Sequence, residues 1–119
     1  FVIADGNFPV MSMGKNAQII RMDGHGVPEI LDAILRVFPL DTYIEKPVNL
    51  MEVMPGDDVQ TPIWDVYKKT VEKYDERGKN AIGEIERFKF YEETKTAYAV
   101  IATSEKALYA NIMLQKGVV

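Results

Sequence analysis

The 119-residue chain carries 14 basic and 18 acidic side chains, 47% hydrophobic residues and no cysteine. That length suits one domain with a single core, and the apolar-to-charged balance is that of a globular protein rather than a disordered one. A net charge of −4 and a pI near 5.0 argue against nucleic acid as the main partner. No apolar run approaches the roughly 20 residues of a membrane-spanning helix, so no membrane partner is expected. The lack of cysteine excludes disulfides and thiolate metal sites from this segment and fits a reducing, cytoplasmic setting.

The chain opens on an apolar run, Phe1 to Ala4, that stops at Asp5-Gly6-Asn7-Phe8-Pro9. This reads as a buried strand entering a loop. The run has no Met or polar lead-in, which sets the expectation that residues precede Phe1. A carboxylate at such a strand end sits where α/β folds place ligand crevices, although Asp5 is also an ordinary turn former. Gln18 to Met22 is a second strand, and Asp23-Gly24-His25-Gly26 turns the chain. Pro28 then starts an amphipathic helix over 28–38, with Ile30, Leu31, Ile34, Leu35 and Phe38 on one face, and Pro39 ends it.

Val48 to Met54 reads as a third strand, and Pro55-Gly56-Asp57-Asp58 as turn chemistry. Thr61 before Pro62 has the form of an N-cap for a helix reaching about Asp75, with Ile63, Trp64, Tyr67, Val71 and Tyr74 on one face. Ile85 to Phe90 alternates apolar and charged residues and predicts a half-buried strand, with a helical turn over Tyr91 to Lys95. Tyr98 to Ala102 is a central strand, Ser104 caps a brief turn, and Asn111 to Leu114 is the last strand. Helices alternate with strands early and strands crowd together late, which predicts an α/β fold with a mixed sheet flanked by helices. No repeat or linker divides it.

Phosphate-loop, dinucleotide and nucleophile-elbow motifs are absent. The single histidine, His25, lies between two glycines and reads as a local hydrogen bonder. No spacing of His, Asp and Glu suggests a metal site. What remains is a set of polar residues at element boundaries: Asp5, Asp41, Arg87, Tyr91, Tyr109 and Asn111. Carboxylate, amide and guanidinium groups pair with hydroxyls, and aromatic rings cover the apolar face of a sugar. Each residue also has a plain structural reading, as turn former, exposed strand residue or strand-start hydrogen bonder. The residues alone therefore stop at an α/β domain with sugar-binding chemistry.

Taken together, several ordered segments carry a more specific signal. They are Ala4-Asp5-Gly6-Asn7-Phe8-Pro9, Ile20-Arg21-Met22-Asp23-Gly24, Pro39-Leu40-Asp41-Thr42-Tyr43 and Gln60-Thr61-Pro62-Ile63-Trp64. The set continues with Ile85 to Glu92, Leu108-Tyr109-Ala110-Asn111 and Leu114 to Val118. This set resembles the L-fucose mutarotase branch of the family that also contains D-ribose pyranase. The resemblance implies a three-layer α/β/α domain of the ribose-pyranase type, covering 1–119 and lacking its N-terminal segment. It implies interconversion of the α and β anomers of L-fucose without metal or other cofactor. It also implies Asp41 as a proton donor or acceptor, and Asp5, Arg87, Tyr91, Tyr109 and Asn111 as sugar contacts. A catalytic His is expected upstream of Phe1, in a stretch the family carries just before the first strand. Family members form homo-oligomers, some of them decameric rings, and their sugar sites can draw on a neighbouring subunit. The alternatives are a D-ribose pyranase, sharing the hemiacetal chemistry, and a noncatalytic sugar-binding protein on the same scaffold.

Overall fold

A computed structural model describes residues 1–118. Six strands form one sheet: β1 (Val2–Ala4), β2 (Gln18–Met22), β3 (Val48–Met51), β4 (Ile82–Ile85), β5 (Ala99–Thr103) and β6 (Ile112–Leu114). Their order across the sheet is β2-β5-β1-β6-β3-β4. β2, β5 and β1 pair in parallel, as do β3 and β4, while β6 runs antiparallel between β1 and β3. The mixed sheet expected from the sequence is thus a parallel sheet with one reversed strand inserted near its middle.

Alternation along the strands divides the core between two faces. Ile3 and Ile101 point to one side, where they pack with Ile112 against α2 (Val27–Val37) and α3 (Pro62–Tyr74). Val2, Ala4 and Val100 point to the other, against Phe8, the short helix α1 (Val10–Met13) and Phe90 of α4 (Arg87–Thr94). Helices on both faces of the sheet make the three layers that the resemblance implies.

Several boundaries differ from the sequence reading. The strand expected over Ile85 to Phe90 is instead the end of β4 followed by α4. Glu86 accounts for the switch: its carboxylate accepts the N–H groups of Phe88 at 3.0 Å and Lys89 at 3.1 Å, capping the helix. Phe90 and Thr94, one turn apart, are then buried together. The preceding segment escaped notice because Gly83 lowers its strand character. A Cβ there would lie 2.8 Å from the Asn49 side-chain oxygen, so any larger residue would have to displace that side chain.

β3 stops at Met51 instead of Met54, and α1 forms where a loop was expected. Thr61 occupies the N-cap position of α3 without a side-chain capping bond. Ser104 caps no turn of its own; its hydroxyl accepts the Gly24 N–H at 2.7 Å. Glu105 takes the neighbouring N–H groups of Lys106 and Ala107, and reaches Val27 at the start of α2 at 3.0 Å.

Replacing Glu86 by Ala removes the acceptor for two N–H groups and should cost about 1 kcal/mol of stability. The expected readout is a lower urea midpoint with an unchanged slope.

Candidate active site

Every parallel strand delivers its C-terminal end to one edge of the sheet, and β6 starts at that same edge. Asp5 leaves β1 there, Met51 ends β3, Arg87 follows β4, and Tyr109 to Asn111 lead into β6. A cleft of about 310 Å³ opens between them, lined by Asp5, Phe8, Met51, Arg87, Leu108 and Tyr109 among others. Its size is at the lower end for small-molecule sites. A wider depression of about 510 Å³, flanked by Phe1, Glu93, Tyr98 and Gln115, lies at the far edge. We favour the smaller cleft as the site because polar groups from four segments converge there.

Asp5 is only 8% exposed. Its backbone N–H donates to Asn111 Oδ1 at 2.7 Å, and its own Oδ1 accepts the Asn7 N–H at 3.0 Å. Burial pushes its carboxyl above the usual carboxylate range. The backbone N–H groups of Asn7, Ala110 and Phe8 partly oppose that shift, and the charge of Glu105 adds to it. The Asn111 amide oxygen is thus committed to backbone, which leaves its amide nitrogen for a ligand.

Arg87 and Tyr91 lie four residues apart on α4, so one helix face presents both to the cleft. The strand reading could not have related them in this way. Arg87 Nε is buried without a hydrogen-bond partner among the described residues. A buried donor in that condition calls for an acceptor from a ligand or water. The guanidinium carbon also sits 5.9 Å from the centre of the Tyr109 ring. Tyr91 packs edge-on against Phe8, with ring centres 5.6 Å apart, which anchors one wall.

The Tyr109 segment is held by side chains whose functional role the sequence did not disclose. Trp64 Nε1 donates to the Tyr109 carbonyl at 2.8 Å, and the Tyr67 hydroxyl donates to the Ala110 carbonyl at 2.6 Å. Tyr67 is fully buried, and its hydroxyl pKa is raised chiefly by burial, then by the charges of Glu105 and Asp5. It therefore stays a donor. Tyr109 itself has φ of 51°, the only positive value at a non-glycine among the described residues. Trp64 and Tyr67 read in the sequence as apolar-face residues of α3. Their polar tips were the available signal, since buried Trp N–H and Tyr O–H groups need partners.

Five of the six polar residues singled out from the sequence therefore meet at one cleft. Asp41 does not. Its backbone N–H donates to Gln115 O at 2.9 Å, at the opposite end of β6. That is roughly 13 Å from Asn111 at ~3.3 Å per strand residue. Asp41 Oδ1 accepts the Tyr43 N–H at 2.8 Å, and Arg77 braces the loop through the Asp41 carbonyl at 3.1 Å. His25 is exposed and pairs with Glu29 at 3.0 Å, away from the cleft. Among the described residues no three His, Asp or Glu side chains gather as metal ligands, and no helix is long and apolar enough to cross a membrane.

The fold and the sequence are shared with known proteins. The model of the RbsD / FucU transport protein family matches residues 1–119. The human fucose mutarotase is 46% identical over 98% of this chain and 77% of its own length. FucU from Bifidobacterium longum superposes with a TM-score of 0.97 at 66% identity, over 99% of this chain and 84% of that one. The fucose mutarotase from Streptococcus pneumoniae, solved in complex with L-fucose, gives 0.91 at 43% identity over 99% and 81%. With the whole chain matched and the fold shared, this protein belongs to the RbsD / FucU family.

Proposed function

We propose that this chain is an L-fucose mutarotase, an isomerase that interconverts the α and β anomers of the sugar. The observation that carries the reading is the cleft at the β1 and β6 ends. There a buried carboxyl with a raised pKa faces an unpartnered guanidinium donor and two tyrosines. The relatives named fucose mutarotase and the relative holding L-fucose support the choice of sugar.

Mutarotation opens a cyclic hemiacetal and closes it on the other face of C1. An acid must protonate the ring oxygen O5 while a base removes the anomeric O1 proton. Asp5, protonated more readily than an exposed carboxyl, supplies the acid. The Tyr109 phenol lies at the same cleft and serves as the O1 partner. Arg87 and the Asn111 amide nitrogen hold ring hydroxyls, and Tyr91 covers an apolar face. After opening, rotation about C1–C2 and reclosure use the same groups with their roles exchanged.

The working form in this reading is a cytoplasmic homo-oligomer. Asp41, remote from the cleft of its own chain, serves the cleft of a neighbouring copy in this reading as the proton-transfer group that supplies the Asp5 carboxyl with its proton. Light scattering of the purified chain measures the assembly, and cell fractionation tests the compartment. Mixing Asp5→Asn and Asp41→Asn chains should restore part of the exchange rate that each variant lacks. No recovery on mixing places both residues in one copy's chemistry or removes Asp41 from it.

Saturation-transfer NMR on L-fucose should show exchange between anomers speeded by the protein, and a rate equal to that in buffer would sink the assignment. Arg87→Gln should slow exchange by on the order of 10²-fold, having lost a charge-assisted donor at the site.

Asp5→Asn should abolish most exchange without lowering stability at neutral pH. The folded-state pKa of Asp5 lies above its unfolded value, so the folded chain binds this proton more tightly. Stability attributable to Asp5 therefore falls as pH rises from the ordinary carboxylate range through the raised value. The variant escapes that loss. Its urea midpoint at pH 7 should equal or exceed the parent's, and the gap should close in acid.

A further inference from the structure

Asp57 lies in the loop between β3 and α3, outside the cleft lining, and its carboxylate accepts a hydrogen bond from the Tyr109 hydroxyl. The same phenol oxygen accepts the Met54 backbone N–H at 3.2 Å. A phenol has one proton and two lone-pair sites. With the proton given to Asp57 and one lone pair to Met54, a single lone pair remains for whatever enters the cleft. A sugar hydroxyl reaching that oxygen would therefore donate to it.

The sequence reads Asp57 as part of a turn, and the turn does form: its backbone N–H closes onto the Met54 carbonyl at 3.0 Å. That bond uses the backbone alone, so the turn does not need the carboxylate. The side chain is spent on Tyr109, 52 positions away. Arg87 lies against the same ring, and Trp64 holds the Tyr109 carbonyl, so the ring is fixed from two further directions.

We infer that Asp57 is a positioning residue that sets Tyr109 as the proton acceptor for the anomeric hydroxyl and receives the phenol proton in turn. The inference rests on the mutarotase reading. In the opening step the O1–H bond breaks and its proton passes to the Tyr109 oxygen. The phenol's own proton passes to an Asp57 carboxylate oxygen. The electron pair of O1–H forms the second C1–O1 bond, and the C1–O5 bond breaks with its pair leaving on O5. O5 takes the proton of the Asp5 carboxyl. Reclosure on the other face of C1 returns each proton along the same path, so no net proton is gained or lost. Asp57 is exposed, so its carboxylate is held ready on the solvent side of the phenol.

The test is anomer exchange across a range of L-fucose concentrations, measured by NMR for Asp57→Asn, Asp57→Glu, Tyr109→Phe and the double variant Asp57→Asn/Tyr109→Phe. Asn keeps the shape and can accept the phenol hydrogen bond but cannot take its proton. In Asp57→Asn, kcat should fall by on the order of 10²-fold with KM little changed. Asp57→Glu should recover part of the loss, and Asp57→Asn should add nothing in the Tyr109→Phe background. An unchanged kcat in Asp57→Asn overturns the inference. So does a further fall in the double variant, because the loop would then act by a route other than the phenol. If Asp57→Asn melts below the parent, Asp57→Ser gives the same comparison with a smaller side chain. A parent that fails to speed exchange at all defeats the mutarotase reading and this inference with it; a parent that works beside an unimpaired Asp57→Asn defeats the inference alone.

Discussion

The cleft depends on β6 running antiparallel between two parallel strands. In an all-parallel sheet the strand after a crossover would begin at the edge remote from the C-terminal ends of its neighbours. Because β6 is reversed, it begins beside the end of β1, and Asn111 lies within hydrogen-bond reach of Asp5. That bond joins residues 106 positions apart and ties the last turn of the chain to the first. Asp5, the Tyr109 segment and the start of α4 then share one end of the sheet, as the ligand crevices of α/β folds generally do.

Holding that arrangement requires α3 more than it requires the strands themselves. Tyr109 adopts a left-handed conformation that costs a non-glycine residue roughly 1–2 kcal/mol. Trp64 and Tyr67 offset this by donating to the two successive carbonyls that follow the bend. A buried carbonyl deprived of its donor would cost a comparable amount, so the bend and its two anchors stand or fall together. The apolar face of α3 thus has two functions, filling the core through Val71 and fixing the site through the polar tips of Trp64 and Tyr67.

Much of the fold was legible because its elements announce themselves locally. The amphipathic faces of α2 and α3, the apolar run of β5 and the short strand before Asp5 all follow from periodicity and burial. The stretch around Glu86 was misread because charged and apolar residues alternated over a span too short to separate a strand from a helix. The deciding event there was a capping bond from Glu86 to two N–H groups, which leaves no periodic trace. At the site, Asp5, Arg87, Tyr91, Tyr109 and Asn111 were recognisable as a set through resemblance to a known family. Trp64, Tyr67 and Asp57 were not, since each has an ordinary local reading and acts through contacts more than 40 positions away.

The sequence by itself determined the layer architecture, the chemistry available and the set of polar residues from which a sugar site is drawn. These depend on local propensity, on composition and on ordered motifs, all of which are written along the chain. Only the tertiary structure decided that five of those residues converge while Asp41 lies at the far end of β6. It also decided which of them are committed to backbone, which one keeps an unpartnered donor, and that Tyr109 has its proton turned toward Asp57. The physical reason is that hydrogen-bond commitment and burial are properties of the neighbours a residue acquires on folding, and for this cleft those neighbours come from opposite ends of the chain.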